Sequence, residues 1–146
     1  MPVTDGDLTD AAARYAAELP DRLDLVHLGL GPDGHTASLV PGDGVLEVTD
    51  RPVAVTAGEY QGRRRMTLTY PTLDAARRIL FLVAGADKRD ALARLRAGDR
   101  TVPAGRLSLL LAAWCDLSDS QVLVNLLDLG VAGGLIGWIY RRRRGS

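Results

Sequence analysis

The sequence has one cysteine, Cys115, so no disulfide can close within the chain. It has two histidines, His27 and His35, and no cysteine cluster, which argues against a structural zinc site. Lysine is almost missing: Lys88 is the only one among 18 basic residues. The arginine-rich middle lacks interleaved aromatics or a recognisable nucleic-acid module, so nucleic acid is set aside as a partner. The opening residues, MPVTDGDLTD, are acidic and polar and do not read as a signal peptide, so the expected location is cytoplasmic.

Net charge is also absent, but the zero hides an asymmetry. Residues 1–60 hold 3 Arg against 11 acidic residues, and residues 61–106 hold 11 basic residues against 4 Asp. A basic middle can attract an anionic substrate; pairing of the two parts across the fold is the alternative. At 146 residues the chain is long enough to bury a core, and 47% hydrophobic content is ordinary for a globular protein.

The most informative stretch is residues 24–41, DLVHLGLGPDGHTASLVP. Residues 24–30 form a short apolar run closed by glycine, as a buried parallel strand reads. His27 on this strand is expected to be a satisfied core histidine. Three glycines and a proline follow within six residues, which forbids regular structure and lets backbone approach a ligand. Thr36 and Ser38 can cap a following helical turn. His35 is then delivered at the C-terminal end of a strand, where ligands bind in open α/β sheets.

Along the chain, residues 7–19 read as a helix capped by Asp7 or Thr9, with Leu8, Ala12, Tyr15, Ala16 and Leu19 on one face and Pro20 as its stop. Residues 45–49 and 52–56 read as short β runs, and 65–70 as a strand. Pro71 starts a short helix over 72–78. Residues 79–84 form a second buried strand closed by Gly85, and 87–96 a helix capped by Asp87 and stopped by Gly98. This alternation implies an α/β sheet with helices on both faces.

Imidazole can activate water or protonate a leaving oxygen near neutral pH, which makes His35 the first catalytic candidate. A helix N-terminus beside it would keep it a neutral base. Asp33 is either its orienting partner or an ordinary Pro-Asp-Gly turn residue. Gly29, Gly31 and Gly34 offer backbone N–H groups to a developing oxyanion, or serve only the turn. Lys88 opens a helix after a strand, a place suited to a phosphate. Arg63, Arg64 and Arg65 point in different directions, so one of them can face the site while two are solvated.

The run Gly31-Pro-Asp33-Gly34-His35-Thr36-Ala37-Ser38-Leu39 resembles the signature of the 6-phosphogluconolactonases, whose superfamily includes glucosamine-6-phosphate deaminase and ribose-5-phosphate isomerase. The segment RRRMTLTYPTLDAARRILFLVAGADKRDAL is similar to the same family. Thr36-Ala37-Ser38-Leu39 is the lactonase version; the deaminases resemble Gly-His-Ile-Ala-Phe here. The resemblance implies a three-layer Rossmann-like α/β fold and no metal or organic cofactor. It implies hydrolysis of 6-phospho-glucono-1,5-lactone to 6-phosphogluconate in the pentose phosphate pathway. His35 and Asp33 would be catalytic, and Gly31, Gly34, Thr36, Ser38, Arg65 and Lys88 would hold the phosphorylated sugar lactone.

The family's glycine-rich phosphate loop and its Asp-Glu-Arg motif are not found in the chain. Residues 1–113 are therefore expected to be the C-terminal half of such a domain, with the N-terminal βαβ half missing. Residues 114–146 are then an apolar tail outside the family pattern. The alternative class is a non-catalytic fragment, or a half-enzyme needing a partner chain that supplies the missing half. Residues 122–140 are 19 long, close to the roughly 20 that span a bilayer, but Asp128 costs about 2.5–3.5 kcal/mol near the centre. A buried or amphipathic helix on the sheet is preferred over membrane contact, and a tail read out of frame is a third reading.

Overall fold

The computed structural model describes residues 7–107, 112–116 and 123–126. Helix α1 (Leu8–Glu18) starts where expected: Asp7 is the N-cap, and its Oδ1 accepts the Thr9 N–H at 2.8 Å. Ala12 is its buried residue, with Leu8, Tyr15, Ala16 and Leu19 partly buried on the same side. Strand β1 (Val26–Leu28) follows, then a 3₁₀ turn at Gly44–Glu47. Strands β2 (Val53–Val55) and β3 (Met66–Leu68) form an antiparallel hairpin, and α1 packs against β2. Helix α2 (Tyr70–Asp74) leads to β4 (Ile79–Val83). A 3₁₀ turn at Ala86–Lys88 runs into α3 (Arg89–Arg96). Strands β5 (Ala112–Asp116) and β6 (Leu123–Leu126) follow.

The main sheet has the order β1-β4-β5-β6. Strands β1, β4 and β5 are parallel, with Val26 beside Ile79 and Leu28 beside Phe81, while β6 runs antiparallel to β5. Residues 29–78 cross from β1 to β4, and α3 lies in the crossover from β4 to β5. Because β1 and β4 are parallel neighbours, the loops after both strands emerge at one edge of the sheet. One of these loops carries His35 and the other Lys88.

Burial on β4 alternates, with Ile79, Phe81 and Val83 inside and Leu82 38% exposed. On β1, Val26 and Leu28 are inside while His27 is exposed. The inward residues join Leu39, Leu73, Leu92 and Leu95 in one core cluster. Full burial of a Leu or Phe side chain contributes about 1.5–3 kcal/mol.

Several expectations need correction. His27 is not a core histidine: it shares the open sheet face with Leu25, 56% exposed, and Leu82. Among the described residues the helices leave that face uncovered, so helices on both faces are not seen there. Residues 45–49 are not a strand, because the Asp43 side chain accepts the Val45 N–H at 2.7 Å and the Leu46 N–H bonds the Asp43 carbonyl at 3.2 Å, winding the segment. This cap overrides the β-branched composition. Helix α2 begins at Tyr70, earlier than expected, with Pro71 inside its first turn. Leu123–Leu126, read as the start of a tail helix, form a strand that extends the sheet. The rest of the expected tail helix or span, from residue 127 on, lies outside the described residues. Among those residues no helix is long and apolar enough to cross a membrane.

Candidate active site

The loop after β1 closes on itself. The Gly31 N–H donates to the His35 carbonyl at 2.8 Å, and the Gly34 N–H to the Gly31 carbonyl at 3.0 Å. Within this ring of backbone the Asp33 side chain folds back on His35. Asp33 Oδ1 lies 2.6 Å from His35 Nδ1 and accepts the His35 backbone N–H at 3.1 Å. The His35 side chain is 21% exposed and that of Asp33 36%. Burial works against the Asp33 carboxylate. Hydrogen bonds from the His35 ring and backbone outweigh it, and the pKa lies below the ordinary carboxylate value. An ionised Asp33 requires the proton on His35 Nδ1, which leaves Nε2 for proton transfer.

Two glycines are dictated by this packing. A Cβ on Gly31 would overlap the His35 ring and lie 2.7 Å from Asp33 Oδ1. Gly34 has φ +81°, and a Cβ there would meet Val102 at 2.6 Å. The Ala104 N–H donates to the Gly34 carbonyl at 3.0 Å, so residues 102–104 brace the loop from behind. The N–H groups of Gly31 and Gly34 are committed to loop bonds. The oxyanion role considered for them is replaced by turn geometry and close approach. Nothing meets a Cβ at Gly29 within 4 Å.

The helix expected after His35 does not form. Thr36 is 1% exposed and its hydroxyl donates backward to the Gly29 carbonyl at 2.8 Å. Ala37 has φ +51°, outside the helical region. The Ser38 N–H donates to Thr67 Oγ1 at 3.2 Å, and Leu39, fully buried, anchors the turn in the core. No helix dipole therefore acts on His35, and Asp33 orients its ring. Ser38 lines a different cavity, of about 220 Å³, with Tyr15, Val53, Met66 and Thr67.

Of the three arginines, Arg65 is brought toward the dyad. Its guanidinium lies 5.4 Å from the centre of the Tyr60 ring, which stands edge-on to His35 at 5.1 Å. Arg63 and Arg64 are exposed, and Arg64 Nε donates to the Thr56 carbonyl at 3.1 Å. Lys88 is partly buried at the same sheet edge, with Nζ 3.1 Å from Asp87 Oδ2. Tyr60 has no place in the motif-based reading. The available signal was Gly62 between two β runs, a residue suited to the positive φ of a hairpin turn. Among the described residues no group of three or more His, Cys, Asp or Glu gathers as a metal cluster.

The family model described as glucosamine-6-phosphate isomerases/6-phosphogluconolactonase matches residues 1–111. The chain is 41% identical over 107 residues to a 6-phosphogluconolactonase of Nostoc sp., covering 66% of this chain and 44% of that protein. It is 35% identical over 130 residues to the 6-phosphogluconolactonase of Rattus norvegicus, covering 82% of this chain and 50% of that one. Its α/β fold is similar to the crystal structure of a 6-phosphogluconolactonase from Thermotoga maritima, with a TM-score of 0.66 at 27% identity over 77% of this chain and 52% of that one. The chain spans about half the length of the curated relatives it matches.

Proposed function

The chain belongs to the family of glucosamine-6-phosphate isomerases and 6-phosphogluconolactonases, and we propose that its site hydrolyses 6-phospho-glucono-1,5-lactone to 6-phosphogluconate. The observation that carries this is the 2.6 Å contact between Asp33 Oδ1 and His35 Nδ1. A lactone needs a base to activate water and an acid to protonate its ring oxygen. His35 Nε2 takes a proton from water as the water oxygen bonds to the lactone carbonyl carbon. The tetrahedral adduct then expels the ring oxygen, which receives that proton and becomes a hydroxyl. Asp33 holds the Nδ1–H tautomer and stabilises the imidazolium formed between the two steps, as in other carboxylate-oriented histidines. Both protein groups return to their starting states, and the chemistry as written uses no cofactor.

Lys88 and Arg65 are the cations proposed to hold the phosphate. Both stand at the sheet edge that carries His35, one by the loop after β4 and the other through Tyr60. Because the curated relatives carry about as much chain again, we propose that further phosphate and catalytic groups come from the remainder of the family domain. A chain mixed with a polypeptide carrying the N-terminal half of a family lactonase is then expected to turn over faster than the chain alone.

The test offers purified chain, alone and so mixed, the phosphorylated lactone, the same lactone without phosphate, and glucosamine 6-phosphate. Acid release in a pH-stat from the first, much faster than from the second, supports the reading. Ammonia release from the third with no lactone hydrolysis would replace it with the sister activity.

A further inference from the structure

We infer that Tyr60 is a positioning residue, holding the Asp33–His35 dyad through its hydroxyl and Arg65 through its ring; the inference rests on the lactonase reading of the site. Tyr60 sits at the tip of the β2–β3 hairpin, paired with Arg63, whose carbonyl accepts the Tyr60 N–H at 3.0 Å. Gln61 and Gly62 between them have φ +54° and +75°. Two successive left-handed residues make the tight turn whose twist matches a hairpin. The tip is thus set in one shape, and its base is tied down as well. Thr56 is fully buried, its N–H donates to the Arg65 carbonyl at 2.7 Å, and its Oγ1 accepts the Arg65 N–H at 2.9 Å.

From that tip the Tyr60 hydroxyl lies 3.4 Å from Asp33 Oδ2 and 3.4 Å from His35 Nδ1. A phenol has one proton to give. With Nδ1–H already donated to Asp33 Oδ1, that proton goes to Oδ2. Both oxygens of Asp33 then have a donor, and the carboxylate cannot turn without losing one. The distance is long for an O–H···O bond, as catalytic hydrogen bonds often are before substrate binds. On its ring side Tyr60 carries Arg65, whose Nη2 also donates to Gln61 Oε1 at 3.1 Å. One side chain therefore joins the group that moves protons to a cation suited to the substrate's phosphate.

The two functions separate by substitution. Tyr60→Phe removes the hydroxyl and keeps the ring; Tyr60→Ala removes both. Only two histidines are present, and His27→Gln assigns their imidazole signals by nitrogen-15 NMR, with the exposed His27 as the control. In Tyr60→Phe we expect faster solvent exchange of the His35 Nδ1 proton and a kcat lower by about 3–10-fold, the scale of one hydrogen bond, with KM within about twofold. Tyr60→Ala is expected to add a rise in KM of about fivefold for the phosphorylated lactone and none for the unphosphorylated one. A His35 signal and exchange rate unchanged in Tyr60→Phe would overturn the inference, whatever the turnover. Altered exchange in a chain that hydrolyses neither lactone, alone or mixed with a polypeptide carrying the N-terminal half of a family lactonase, would support the positioning role and overturn the hydrolase reading instead.

Discussion

Gly31 and His35 are packed so closely that no side chain fits between them: a Cβ on Gly31 would overlap the Nδ1 and Cε1 atoms of the imidazole ring. The Asp33–His35 contact exists because position 31 is bare. Gly31→Ala should therefore push the ring away from Asp33. Hydrolysis is expected to fall by about 10²-fold or more, the scale of a lost general base. Thermal unfolding should move far less than activity, since the loop can shift toward the surface. Activity within twofold of wild type would show that the contact is dispensable.

Lys88 gives a second test. If its ammonium grips phosphate, Lys88→Ala should raise KM for the phosphorylated lactone by about 10-fold or more, as expected for a charge-assisted contact. KM for the unphosphorylated lactone should stay within about twofold. Equal rises for both substrates would assign Lys88 to the structure of the turn at Ala86–Lys88.

The burial pattern of β4 makes a stability prediction. Phe81 is fully buried and Leu82, its neighbour on the opposite face, is 38% exposed. Phe81→Ala should cost about 3–5 kcal/mol by urea denaturation, and Leu82→Ala no more than about 0.5 kcal/mol. A comparable loss at Leu82 would mean that its face is covered in solution.

Acid sensitivity should be visible at Asp99. Its hydroxyl partner Thr101 is the largest cause of a pKa lowered to about 2, followed by Arg94 and the Thr101 N–H. The folded value lies below the ordinary carboxylate value near 4. Its contribution is thus present above about pH 4 and is lost as pH falls toward about 2. Asp99→Asn should lower the urea midpoint at pH 6, and the gap from wild type should close as pH falls through that window. A gap of constant size would remove Asp99 ionisation from the account.

Much of this was legible in sequence. The Asp7 cap of α1, the apolar faces of α1 and α3 and the strand Ile79–Val83, an apolar run closed by Gly85, follow from local pattern, whereas Asp87 does not cap α3, whose N-cap is Lys88 with no side-chain bond. Asp33, His35 and Gly31 stand in one motif, so their meeting in one loop follows from local sequence. Less local features were hidden. An apolar run does not reveal which strand face is covered, and His27 was misjudged for that reason. Thr36 was read forward, as a cap, because its bond to the Gly29 carbonyl depends on how the loop folds back. Tyr60 reaches His35 across 25 residues through a hairpin whose register no local pattern discloses.

The central claim is that the Asp33–His35 pair performs the proton transfer. Its most direct measurement is the initial rate of 6-phospho-glucono-1,5-lactone hydrolysis by wild type, His35→Gln and Asp33→Asn, each alone and mixed with a polypeptide carrying the N-terminal half of a family lactonase. The account predicts hydrolysis by wild type in the mixed form, with losses of about 10²–10⁴-fold in both variants and no loss of fold by circular dichroism. A variant that keeps most of the wild-type rate, or a wild type inactive in both forms, would contradict it.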